Sequence, residues 1–230
     1  MDIGRAFAFV TEDEEWLKKI LIGGLIIWIP IIGQLAIYGY TFETARNVAQ
    51  GHPRPLPDWT DFGDKLMKGL YAMIIQIVYS LPVIILSCVL MLPLMLLPQS
   101  EEAAVAGSLV MFCLVPIIIV LGLAIGFITL VAQARYVQTD TLSAAFEFKV
   151  VFRMLRESFG DWVMLFLTAI LAGLAASVVG SIVCGIGVLF TSVYAYAVIG
   201  HALGQIIVKQ RGGTGGSDIG NIPPTYGSPA

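Results

Sequence analysis

The chain has 230 residues, of which 57% are hydrophobic and 13% charged, with a net charge of −3. A soluble domain carries about 25% charged residues, and a mean hydropathy of +0.86 leaves too little polar surface to solvate a globule of this size. The balance excludes most soluble enzymes, and a pI of about 5.3 excludes the basic footprint of a nucleic-acid binder.

The first segment, residues 1–19, reads as an interfacial N-terminal segment. Glu12, Asp13, Glu14 and Glu15 stand where a signal peptide would need a basic region, so none is predicted. Thr11 followed by Glu14 has capping-box spacing, which predicts a helix starting near Glu12. Glu14–Lys18 and Glu15–Lys19 are spaced as i,i+4 ion pairs along it. Ahead of that helix, Phe7 and Phe9 are expected to dip into the headgroup zone.

Four runs lack Asp, Glu, Lys and Arg: Ile20–Phe42 (23 residues), Gly69–Ser100 (32), Ala103–Ala134 (32) and Trp162–Val208 (47). A helix needs roughly 20 apolar residues to cross the hydrocarbon. The second and third runs each hold one span. The last holds two, joined by a turn that Gly180, Gly185 and Gly187 mark around Cys184. The first run allows two readings: a fifth span, or a re-entrant hairpin with arms Ile20–Ile29 and Gly33–Phe42 turning at Pro30–Gly33. Each arm of such a hairpin is about 15 Å long, too short to cross alone. Basic residues mark the cytoplasmic side. With five spans 10 of the 13 fall on one side; with the hairpin all 13 do. Both readings put the two large connections and the C-terminus in the cytoplasm. The fold class is thus an all-α membrane protein of four transmembrane helices, plus a fifth N-terminal span or re-entrant hairpin, with cytoplasmic amphipathic helices. Residues 20–208 form the membrane domain and 209–230 a flexible tail rich in Gly and Pro.

In the first connection, Pro53, Pro55 and Pro57 impose an extended segment. An interfacial helix is expected from Pro57, with Trp59, Phe62 and Leu66 on one face, entering the membrane near Gly69. Leu56, Pro57, Trp59 and Phe62 are the candidate interfacial or partner-docking residues. The third connection repeats the plan, with Phe148, Phe152 and Leu155 on one face and Arg153 and Arg156 facing water. Ala45-Arg46-Asn47-Val48 and Ala134-Arg135-Tyr136-Val137, 89 residues apart, suggest a parallel duplication of the kind seen in transporters. Pro223-Pro224-Thr225-Tyr226 in the tail fits a motif that aromatic grooves bind.

Residues able to carry chemistry are few. Cys88, Cys113 and Cys184 show no metal-ligand spacing, and no carboxylate pair lies deep in a span for acid–base work. No catalytic residue, cofactor or metal is expected. Gln76, Ser80, Thr129, Gln133 and His201 are the polar side chains that would line a pathway, if one exists. Small residues at i,i+4 let helix backbones approach closely. Ala169, Gly173, Ser177 and Ser181 form such a row, beside a second row of Ala172, Ala176, Gly180 and Cys184; Gly122 with Gly126 and Gly200 with Gly204 repeat the spacing.

Asp13-Glu14-Glu15-Trp16-Leu17-Lys18-Lys19 through Gly24, Pro30 with Gly33, Gly39-Tyr40, Leu56-Pro57-Asp58-Trp59 with Phe62 and Gly69, and Tyr79-Ser80-Leu81-Pro82 together resemble a prokaryotic integral membrane family, domain of unknown function 4013, over roughly residues 8–208. The resemblance implies a helical membrane fold in a prokaryotic plasma membrane. It implies no activity and no site residues. The leading functional expectation is a non-enzymatic scaffold or accessory subunit of a membrane complex. Its partners would be the lipid bilayer and a membrane protein or a second copy, with no nucleic acid. The alternative is a transporter or channel for a small solute or lipid.

Overall fold

In a computed structural model of the chain, residues 2–95, 100–182 and 185–213 are described. They form helices α1 (Ile3–Glu12), α2 (Trp16–Ile27), α3 (Ile32–Ala49), α4 (Phe62–Met95), α5 (Glu101–Thr139), α6 (Phe148–Glu157), α7 (Phe159–Ile182) and α8 (Gly187–Gly213), with a 3-10 turn at Leu142–Phe146. No strand occurs among the described residues. Four stretches, Phe62–Leu92, Gly107–Thr139, Phe159–Ile182 and Gly187–Gly212, are long and apolar enough to cross a membrane.

The first apolar run forms two helices rather than one. α2 ends at Ile27, α3 begins at Ile32, and the two pack on each other. The turn is chemically specific. Pro30 supplies no amide hydrogen, Ile31 sits at φ 67° and ψ −60°, and the Ile32 amide donates to the Pro30 carbonyl at 2.8 Å. That is a γ-turn of the strained, positive-φ kind, rarely held by a β-branched residue. Gly33 lets the returning chain pass: a Cβ there would collide with the backbone of Ile26 and Ile27.

α3 is the centre of the molecule, packed between α4 and α8. Glycine makes both approaches possible. A Cβ on Gly39 would strike the Lys65 backbone, and one on Gly69 the Leu35 backbone. On the other side, Gly200 and Gly204 lie against the Thr41 and Ala45 carbonyls. α4 pairs with α5 and α7 with α8 as helical hairpins. Tyr71–Tyr136 ring contact, the Lys209–Asp161 ion pair and the Gln138–Gln210 hydrogen bond gather one end of all four helices together. The Asp2 amide donates to Gln205 Oε1 at 2.6 Å, so α1 docks at that same end.

Three expectations need correction. The first concerns residues 2–12, where Phe9 does not point out toward a headgroup zone but is buried. They form α1, capped by Asp2 accepting from the Arg5 amide, with Ala6, Phe9 and Val10 buried. The helix expected from Glu12 is interrupted at Asp13–Glu15 because Asp13 is captured there: its carboxylate accepts from the Glu15 amide and from Lys19. The i,i+4 pairs give way to Lys18–Glu15, Lys19–Asp13 and Arg54–Glu14.

The second is the interfacial helix expected from Pro57. Residues 57–61 are not helical, and α4 starts at Phe62 and runs unbroken through Gly69. The segment is held open by long-range bonds. Pro55 and Leu56 carbonyls accept from Asn47 and Lys19, and the Trp59 indole donates to the Lys19 carbonyl. The third is the tail boundary, since α8 continues through Lys209 to Gly213. The Pro223–Tyr226 motif, Pro98 and Cys184 lie outside the described residues.

In the third connection a helix, α6, does form. It packs inward through Val151 and Met154, leaving Phe148 and Phe152 exposed. The two connections therefore differ, an extended strap in one and a helix in the other.

Candidate functional site

Two sequence blocks far apart in the chain meet around Lys19. It heads the first apolar run, and helical geometry turns its side chain under the strap rather than to solvent. Its ammonium lies 2.9 Å from Asp13 Oδ2, 3.1 Å from Asp58 Oδ1 and 2.9 Å from the Leu56 carbonyl. Trp59 closes the site from above. Its indole bonds the Lys19 carbonyl, and its ring stacks on Tyr40 at 4.8 Å and 10°. Leu56 and Pro57 are buried, Trp59 and Phe62 half-buried. Burial alone would lower the Lys19 ammonium, but Asp13 and Asp58 outweigh it and raise it above the usual lysine value. Burial likewise opposes the charged Asp13 carboxyl, yet Lys19 and the Glu15 amide hold it below the usual range. The residues proposed for partner docking are thus spent largely on clamping α2 to the strap.

Further pairs line α3. Lys65, fully buried, lies 3.1 Å from Glu43, and buried Arg46 lies 2.6 Å from Asp140. Arg135 reaches Glu147 at 3.4 Å. Each pair joins α3 or α5 to a neighbouring segment. For the buried pairs of Lys65 and Arg46, desolvation offsets much of the attraction.

Two cavities flank α1. One, of about 440 Å³, is polar and lies between α1, α8 and the strap, with Asp2, Arg5, Glu12, His52, His201 and Gln205 among its walls. His201 is buried, stacked on Phe9 at 4.3 Å, and its Nδ1 lies 3.1 Å from Gln205 Nε2. The other, of about 430 Å³, is apolar and lies between α2, α7 and α8, walled by Leu17, Leu21, Ala172, Ala176, Val179 and Phe190. No group of three or more potential metal ligands occurs among the described residues. Cys88 and Cys113 are exposed on α4 and α5.

The residues named as a pathway are dispersed. Gln76 Nε2 donates to Ser80 Oγ at 3.1 Å on the same helix. Thr129 bonds its own helix at the Ile125 carbonyl, and Gln133 is buried on that helix. Neither cavity is lined by any of these four; only His201 lines one. The small residues also divide. Gly200 and Gly204 contact α3, whereas Gly122, Gly126 and Gly173 have open space before them. On α7 the inward row is Ala172, Ala176 and Gly180. Ala169 is half-buried, and Gly173, Ser177 and Ser181 face outward, the two serines bonding their own helix.

Sequence reasoning missed the ion pairs of Lys19 with Asp13 and Asp58, of Lys65 with Glu43 and of Arg46 with Asp140. Their partners are 37 or more residues away in several cases, as Lys19–Leu56 and Arg46–Asp140 are. The only local signal was a lysine placed at the mouth of an apolar run.

A family described as "Protein of unknown function (DUF4013)" matches residues 22–185. No curated protein and no solved structure matches the chain.

Proposed function

The chain belongs to that family of unknown function, which lends it no activity, and we propose from the geometry that it is a non-enzymatic scaffold or accessory subunit of a membrane complex. The reading places it in a prokaryotic plasma membrane, with both termini and the strap on the cytoplasmic side. The α2–α3 hairpin then enters the bilayer from that side and returns.

The observation that carries the proposal is the α4–α5 arm. The most apolar window of α5 has no buried residue, and that of α4 has 11%. Leu109, Phe112 and Val120 are 64%, 80% and 64% exposed. A solute pathway would gather polar side chains around one cavity, whereas Gln76, Ser80, Thr129 and Gln133 line neither cavity beside α1. An arm this unburied offers long surfaces for another membrane protein or a second copy. Lipid covers them at no penalty in its absence.

A photo-crosslinker placed at Phe112 or Leu109 in cells should capture a defined membrane protein or a second copy. Purification of the full chain in mild detergent should yield the same complex. A monomer that carries no partner, with crosslinks to lipid alone, would overturn the proposal.

A further inference from the structure

We propose that α6 is a docking surface for the anionic phospholipid headgroups of the adjacent leaflet, with Lys149, Arg153 and Arg156 as its phosphate-binding groups. The inference is independent of the scaffold reading.

It begins with where the basic side chains are spent. Lys18, Lys19, Arg46, Arg54, Lys65, Lys68, Arg135 and Lys209 are each paired with a carboxylate. Arg211 donates to the Ala49 carbonyl, and Arg5 shares a cavity with Asp2 and Glu12. The remaining three all lie on α6, all are exposed, and none has a partner among the described residues. Ten cations thus serve the protein's own framework or cavity, and three adjacent ones face outward together.

Their setting specifies a membrane surface. At 3.6 residues per turn, Phe148 and Phe152 share one edge of α6. Arg156, Lys149 and Arg153 follow around the outer face, and Val151 and Met154 stand opposite, buried. The Phe148 ring lies 5.6 Å from that of buried Tyr79, which sets the phenylalanine edge beside the α4 span. A helix with exposed aromatics on one edge and cations on the next matches the gradient from acyl chain to headgroup. An acidic protein segment would account for the charge but not for phenylalanines 55% and 48% exposed beside it. Glu157 at the far flank offsets one of the three charges.

The test uses the full chain reconstituted in phosphatidylcholine bilayers, with spin-labelled phosphatidylglycerol and spin-labelled phosphatidylcholine compared as immobilised lipid. The native chain should favour phosphatidylglycerol, the preference falling as salt is raised. Each cation near an anionic surface contributes up to about a five-fold preference. Lys149→Gln/Arg153→Gln/Arg156→Gln should therefore bring phosphatidylglycerol down to the phosphatidylcholine level. Arg153→Lys/Arg156→Lys should retain the preference, which separates charge from folding damage, and Lys18→Gln should leave it unchanged. A native chain without preference, or a triple variant that keeps it, overturns the proposal. So does a triple variant whose only loss is a co-purifying acidic protein.

Discussion

Lys19 shows how a single side chain decides local structure. Its neighbours in sequence favour i,i+4 pairing along a helix, but its place under the strap makes nearly buried Asp13 and exposed Asp58 available as partners. Replacing it by methionine removes the cation and leaves Asp13, nearly buried, without compensation. The cost should sit toward the lower end of about 3–5 kcal/mol, since Asp58 keeps solvent. Lys19→Met should lower the melting temperature in detergent, and Asp13→Asn in the same chain should restore much of the loss. A double variant no more stable than the single one would contradict the pairing. The pair also fixes a pH window. The lowered Asp13 value means its stabilisation is complete above the ordinary carboxylate range and is lost as pH falls through about 4 and below. The raised Lys19 value means its share is complete below the ordinary lysine value, about 10.4, and is lost as pH climbs beyond it. The N-terminal hairpin should show a broad plateau of stability between those limits in a pH-dependent melt.

At the scale of elements, glycine placement separates helices that touch from helices that face lipid. Gly39 and Gly69 carry the α3–α4 crossing, where an added Cβ meets backbone that cannot rotate away. Gly39→Ala or Gly69→Ala should destabilise by about 1–3 kcal/mol or more, the cost of overpacking. Gly122→Ala and Gly126→Ala should stay within about ±0.5 kcal/mol, as surface changes do. Thermal melts of the four variants check the contrast, and equal effects would mean the crossing is looser than the geometry implies. The same logic explains why the spacing of small residues was an incomplete guide. Identical i,i+4 rows occur on α5, α7 and α8, yet of Gly122–Gly126, Gly173 and Gly200–Gly204 only the α8 pair meets another helix backbone. Spacing says which residues share a face; it does not say what stands opposite.

Across the whole molecule, ion pairs and polar bonds concentrate at one end, where α1, the strap and the ends of α4, α5, α7 and α8 meet. Farther along α4 and α5, Ile84 to Leu92 and Leu109 to Leu123 expose a run of large apolar side chains. Such a polarised body fits one orientation with all 13 basic residues on a single side. Tags at the N- and C-termini should therefore both be shielded from protease in sealed right-side-out vesicles and both be cleaved in inverted ones. Opposite accessibility of the two tags would require the first apolar run to cross.

The sequence by itself determined the four long apolar helices, because charge-free runs of adequate length have few alternatives to lipid, and it left open whether Ile20–Phe42 is a fifth span. Of its two readings of the first apolar run, one put a turn at Pro30–Gly33, where the chain does turn between α2 and α3, since proline and glycine act locally. What only the tertiary structure decided was the fate of residues whose partners are distant in the chain. Asp13 became a break rather than a helix residue, Pro57–Trp59 part of an extended strap rather than the start of a helix, and Lys65 a buried ion. In each case the competing states are close in local energy. The choice fell to burial and hydrogen bonds contributed by elements that no window of sequence contains.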